Sequence, residues 1–213
     1  MKSPTKKGYH HGDLRNALVD AAHALVQERG AGAFSLRETA RAVGVSPNAA
    51  YRHFSDKSAL LTAVARRAFA TLGERVKRAQ DRAGSAGADV ETARARFEAN
   101  GRAYVRFALR EPEIFHLMFG RDRAERTDLK EADRPSHDPY GQLSAALDDL
   151  VDAAVIRVDR REGAELAAWS TVHGFAALCL AGALTFPSAR ARDAALNELL
   201  AGLVDALGVE TRR

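Results

Sequence analysis

An all-α fold follows from three observations on this 213-residue chain. Apolar residues recur at three- and four-residue intervals along most segments, the spacing that lines one face of a helix. No segment alternates apolar and polar residues as a half-buried strand does. Between the periodic segments stand glycines, prolines and N-capping residues, where helices stop and start. The expected architecture is a basic flexible arm over residues 1–12, a three-helix helix-turn-helix domain over 13–60, and a C-terminal helical bundle over 61–213, about nine helices in total.

Each element carries its own signals. The first helix runs from about Asp13 to Arg29, with Leu14, Leu18, Ala21, Leu25 and Val26 at helical spacing and Gly30 and Gly32 closing it. Ser35 and Glu38 then form a capping box, in which each side chain satisfies a free N–H at a helix start. Leu36, Ala40 and Val43 share one face of that second helix, and Gly44 follows where the chain must turn sharply. Ser46 as N-cap and Pro47 as first helical residue restart the chain, and Ala50 and Phe54 point inward one turn apart. A long fourth helix covers about Asp56 to Arg82 and breaks at Gly84-Ser85-Ala86-Gly87. A fifth spans about Val90 to Leu109, and Pro112 opens a short apolar sixth, Glu113 to Phe119. Residues Arg121 to Asp138 are mostly charged and are assigned to a solvated loop. The remaining helices are expected at about Tyr140–Val158, Glu162–Leu184 and Ser188–Leu207.

The second and third helices make a helix-turn-helix, because a small residue at 40, glycine at 44 and an apolar contact at 50 let two short helices cross closely. An ordinary helical hairpin would carry larger apolar residues and no basic outer face. Here the outer surface holds Asn48, Ala49, Arg52 and His53 beside Tyr51, with Pro47 at its start, a face that fits a DNA major groove. Arg52 can hold guanine and Asn48 adenine through paired hydrogen bonds, and Ala49 offers its methyl to thymine. Asn48 has a second reading as a partner of its own helix N-terminus. Lys57 opposes the dipole of the helix it opens, at a cost of about 0.3–1 kcal/mol. It reads as a phosphate contact made jointly with the free N–H groups, or as a solvated surface lysine. The Tyr51 hydroxyl suits phosphate, whereas a core tyrosine would need a buried partner. Ser35 is a phosphate contact or a cap alone.

Charge is placed to match. Residues 1–57 hold nine Lys/Arg and five Asp/Glu, a net of +4 that equals the net charge of the whole chain. The remainder is balanced, so the excess is an electrostatic footprint for phosphate at the N-terminal end. Lys2, Lys6 and Lys7 form an arm that could enter a minor groove, with a plain disordered terminus as the default. The single cysteine, Cys179, excludes an intrachain disulfide and reads as packing. No apolar run is long enough to span a bilayer and no signal peptide is visible, so a soluble, cytoplasmic protein is expected, with no membrane partner. His10, His11 and Asp13 do not converge as metal ligands do, and no nucleophile elbow, HExxH or phosphate-binding glycine loop is present. No metal, no cofactor and no enzymatic activity are expected.

Two sets of residues stand out in the second half. Phe97, Tyr104, Phe107, Phe115, Met118, Phe119, Trp169 and His173 form an aromatic-rich group with few charges, and their surplus of rings suits an apolar effector pocket with sparse polar atoms. His173 is either a hydrogen-bonded core residue or a polar group lining that pocket. Leu196, Leu199, Leu200, Leu203 and Val204 repeat on one stripe of the last helix, and the helix before it mixes Trp169 with small residues such as Ala176. This pairing predicts an isologous homodimer built as a four-helix bundle.

Residues 9–69 resemble the DNA-binding domain of the TetR family of transcriptional regulators, through Asp13, Leu14, Ala17 and Ala21, the run S-L-R-E-T-A-R-A-V-G-V-S-P-N-A-A-Y-R-H-F, and S-D-K-S-A-L-L. Tyr104 to Phe119, with Trp169, His173 and Gly174, look like the ligand-binding domain of the WHG-type branch. The resemblance implies a sequence-specific transcriptional regulator that binds a double-stranded palindromic operator as a homodimer. It implies a repressor, released when a small apolar effector binds. An effector-less dimeric DNA-organising protein is the alternative the residues leave open.

Overall fold

The structure, a computed structural model, describes residues 11–87, 89–120 and 138–208, with side chains from Leu14 onward. The lysine arm, His10, the side chains of His11 and Asp13, and the charged stretch 121–137 lie outside what is described. Among the described residues there are nine α-helices, a short 3-10 turn and no strand. The helices are α1 (His11–Arg29), α2 (Leu36–Val43), α3 (Pro47–Tyr51), α4 (Lys57–Ala83), α5 (Val90–Arg110), α6 (Pro112–Phe119), α7 (Pro139–Asp152), α8 (Ala164–Leu180) and α9 (Ala189–Gly208).

The chain divides into two compact units. The described part of the first runs to Ala68 and takes in Glu113 to Gly120; the second holds Phe69–Pro112 and the described residues from Asp138 on. The division therefore falls inside α4, eight residues past the boundary expected at 60, and α6 groups with the first unit. A helix read as continuous offers no sequence mark for a boundary inside it.

In the first unit Leu18, Ala22 and Val26 of α1, Leu36 and Ala40 of α2, Ala50 of α3 and Phe54 are buried. Ala40 and Ala50 have no exposed surface, which is the close helix approach that small residues permit. In the second unit α5 is central and packs against α7, α8 and α9. Its Gly101 is where the packing is closest: a Cβ there would stand 2.6 Å from Leu200 Cδ1 and 3.3 Å from Val172 Cγ1. Arg96, also on α5, ties the α4–α5 connection to α7 by bonding Asp149 at 3.0 Å and the Gly84 carbonyl at 2.8 Å.

Two helices differ from expectation at their ends. The helix expected to reach Val158 ends at Asp152, because Ala154 adopts a left-handed backbone (φ 55°) and Val155 and Ile156 turn their N–H groups back to Leu150 O. The segment Val151–Val158 contains no glycine or proline, so nothing in its sequence marks that turn. The helix expected over Glu162–Leu184 is α8, which starts after Gly163 (φ 78°) and stops before Gly182 (φ 72°). Gly182 is a helix-stop signal that the apolar run before it concealed, and Gly163 stands at the N-cap position of α8.

Candidate nucleic-acid interface and apolar cavity

The helix-turn-helix is built by three local devices. Ser35 N–H donates to Glu38 Oε2 at 2.8 Å, and Glu38 N–H donates to Ser35 Oγ at 3.2 Å, so the capping box is complete at the start of α2. The Ser35 hydroxyl and N–H together hold the Glu38 carboxyl below the usual carboxylate range. At the other end Gly44 takes φ 77°, and Val45 N–H reaches Ala40 O at 2.9 Å. Ser46 then caps α3 by accepting the Ala49 N–H at 3.3 Å.

These devices leave α3 with a distinct outer face. Pro47, Asn48 and Arg52 are exposed, Tyr51 is 45% exposed, and Ala49 and His53 are half-buried. The Asn48 amide, Tyr51 hydroxyl and Arg52 guanidinium make no hydrogen bond to any described residue, so they stand free of internal roles. Arg52 is the residue that closes α3. Lys57 is different. Its ammonium donates to the Gly32 carbonyl at 3.0 Å and sits 4.7 Å from the centre of the Phe34 ring. Sequence reasoning did not find Gly32 and Phe34 as its partners, because they lie some 25 residues away in the chain. It also missed Asp56 as the N-cap of α4, accepting Ala59 N–H at 2.8 Å, although Asp followed by an apolar helical pattern is a start signal.

The aromatic group of the second half divides. Phe97, Tyr104 and Trp169, with Asn100, Gly101, Leu143, Ala168, Val172 and Leu200, enclose a cavity of about 20 Å³. Phe115, Met118 and Phe119 belong to the first unit and do not line it, and Phe107 faces a different groove. His173 reaches the cavity wall through Tyr104, whose hydroxyl is 2.8 Å from His173 Nδ1 and accepts the Trp169 indole N–H at 3.2 Å. The polarity that gives each group a partner runs from indole N–H to hydroxyl to a neutral imidazole. Burial pushes the His173 pKa down and the Tyr104 pKa up, which favours those neutral forms. Asn100 was not anticipated. It is buried and its Nδ2 has no hydrogen-bond partner. The signal was a polar residue three after Phe97 and four before Tyr104, on an otherwise apolar stripe.

The expected dimer stripe also needs correction. Leu196, Leu200, Val204 and Ala176 are buried within the chain itself and are not available to a second copy. Trp169 and Leu203 are half-buried. The large apolar side chains left accessible on α8 and α9 are Leu166, Leu178 and Leu199, at 64%, 48% and 46%. A period of three and four identifies an apolar face, but not which neighbour covers it.

A capped helix-turn-helix with a polar, unpartnered outer face, followed by a helical unit with its own core, defines a DNA-binding regulator. The profile described as bacterial regulatory proteins, tetR family, matches residues 18–64, and that of the tetracyclin repressor-like C-terminal domain matches residues 97–203. The chain belongs to the tetR family and is a transcriptional regulator, not an enzyme. It is similar in structure to a protein of unknown function from Rhodococcus sp. RHA1, with 30% identity, TM-score 0.74, and 96% of this chain and 100% of the other covered. It is also similar to a TetR-family transcriptional regulator from Pectobacterium atrosepticum, with 25% identity, TM-score 0.65, and 95% and 97% covered. RolR in complex with the ligand resorcinol shares the fold at 15% identity and TM-score 0.62, with 94% and 90% covered. No curated protein is similar enough in sequence to match. No helix among the described residues is long and apolar enough to cross a membrane.

Proposed function

We propose that this regulator is a homodimeric, cytoplasmic repressor that binds a palindromic operator through two copies of α3 and is released by a small, largely apolar effector. Arg52 and Asn48 read base edges, Ala49 and Pro47 approach the groove closely, and Ser35, Tyr51, His53 and Lys57 meet phosphate. The effector enters the cavity between α5, α8 and α9 and presents an acceptor oxygen to Asn100. The observation that carries this assignment is the unpaired Asn100 Nδ2, a buried donor in an apolar wall, since buried polar groups are ordinarily satisfied.

The cavity volume of about 20 Å³ supports release by linkage. Drug-sized pockets run to about 300–1,000 Å³, so an effector has to part the helices around Gly101 to enter. A ligand that binds only the opened arrangement has the differential affinity that an allosteric shift requires. The resorcinol bound by RolR, a small ring with two hydroxyls, is of the size and polarity such a site would take.

The test is to select bound fragments from a genomic DNA pool, then screen small phenols and other apolar compounds by thermal shift and by operator release. An effector at a hundredfold excess over its Kd should stabilise the protein by roughly 2.7 kcal/mol, release the operator, and lose affinity when Asn100 is replaced by Leu. The small cavity also favours a second reading, an effector-less DNA-organising dimer. That reading prevails if no compound stabilises the protein and random duplexes bind as tightly as selected ones.

A further inference from the structure

A charged groove of about 490 Å³ lies between α4 and α5 in the second unit. Its walls carry six arginines, Arg75, Arg78 and Arg82 from α4 and Arg102, Arg106 and Arg110 from α5. The spacings are three and four residues on α4 and four and four on α5, so each row lies along one helix face and both rows line the same groove. Ala79, Ala99, Ala103 and Phe107 form the rest of the lining, and the small alanine side chains leave the space that the guanidiniums surround.

Like charges gathered in one groove repel, and four of the six are answered by acids. Arg75 Nη2 bonds Glu111 at 2.5 Å, Arg78 bonds Glu74 at 2.9 Å, Arg102 bonds Glu98 at 3.0 Å, and Arg106 pairs with Asp193. Arg82 and Arg110 have no ion pair or hydrogen bond with a described residue. The buried Arg75 Nη1 likewise has no partner. Arg75 reaches Glu111 while Arg96 reaches Gly84, so the two helices run antiparallel. Arg82 and Arg110 therefore stand toward opposite ends of the groove, on the order of 10 Å apart by the helical rise from residue 75 to residue 82.

We infer that this groove is a binding site for a small organic oligophosphate. The inference does not depend on repression or on the apolar cavity. A pocket of this volume suits a small molecule. A chain of phosphates carries more negative charge and more acceptor oxygens than a single carboxylate such as Asp193, which already accepts from Arg106 and Arg192, and so can accept from guanidiniums on both walls along the groove. A chain of phosphates would supply the missing counter-charge to Arg82 and Arg110 and an acceptor for Arg75 Nη1.

Isothermal titration calorimetry of the full chain with sodium tripolyphosphate, at constant ionic strength, tests the site. Three comparisons accompany it: the double variant Arg82→Gln/Arg110→Gln, the variant Arg52→Ala on the DNA-reading face, and citrate in place of tripolyphosphate. Saturable binding at one site per chain is expected, weakened about tenfold or more in the double variant by the loss of two charge-assisted contacts, and unchanged in Arg52→Ala. Both replaced arginines are exposed, so circular dichroism of the double variant should match the parent. The inference is overturned if tripolyphosphate does not saturate, if the double variant binds it as the parent does, or if citrate binds equally well. It is also overturned if the double variant loses affinity only for random-sequence duplex DNA, which would make the groove a nucleic-acid surface.

Discussion

Arg52 and Lys57 lie five residues apart in the same candidate interface, yet replacing each with alanine should differ in its effect on folding and in how it weakens DNA binding. Arg52 is exposed and makes no hydrogen bond to a described residue, so Arg52→Ala should leave stability within about 0.5 kcal/mol of the parent. Its cost appears on DNA alone. Loss of a bidentate guanine contact removes about 1–3 kcal/mol, roughly five- to 150-fold in affinity, and a dimer with two half-sites doubles the free energy. Lys57 is held by the Gly32 carbonyl at 3.0 Å and the Phe34 ring at 4.7 Å. A hydrogen bond contributes about 0.5–1.5 kcal/mol and an exposed cation–π contact about 0.5–1 kcal/mol. Lys57→Ala should therefore destabilise the protein by about 1–2 kcal/mol, lowering Tm by about 2–8 °C for a chain of this length. It should also weaken all DNA sequences alike and flatten the salt slope by about one unit per half-site. Fluorescence anisotropy with a selected operator at several salt concentrations, alongside thermal unfolding, measures both. The reasoning fails if Arg52→Ala keeps full affinity and selectivity, or if Lys57→Ala unfolds at the parent's temperature.

Further predictions rest on particular contacts. Leu199 is half exposed and Leu200 almost fully buried, so Leu199→Glu should yield a folded monomer by light scattering, whereas Leu200→Glu should give a protein that circular dichroism finds unfolded or destabilised by several kcal/mol; a dimeric Leu199→Glu would exclude this face of α9. Burial depresses the His173 pKa, so the unfolded chain binds the extra proton first as pH falls below about 6.5, and stability from this group drops in the window between 6.5 and the lowered folded value. Urea denaturation across pH 5–7 should show that slope, and His173→Gln should abolish it. Gly44→Ala places a Cβ in open space but at φ 77°, which costs about 1–2 kcal/mol, offset by about 0.4–1 kcal/mol through the unfolded chain. A stability loss near 1 kcal/mol is expected, and none at all would mean that Gly44 does not set the turn.

What the sequence determined by itself is local. The capping box at Ser35 and Glu38, the left-handed Gly44, the Ser46–Pro47 restart and the inward Ala50 and Phe54 all depend on groups within about four residues of one another. Their chemistry is therefore written in consecutive letters, and so is the outer face that remains when they are accounted for. The apolar stripes of α5, α8 and α9 were equally legible as stripes. Only the tertiary structure decided what covers them: Leu200 meets the space beside Gly101 and not a second copy, and Phe107 lines an arginine groove instead of the cavity that Phe97 and Tyr104 enclose. It alone revealed Lys57 resting on Gly32 and Phe34, Asn100 left with an unpaired donor, and six arginines from two helices facing one groove. The reason is that periodicity records which side of a helix is apolar or charged, while the identity of its neighbour depends on how distant segments close upon one another.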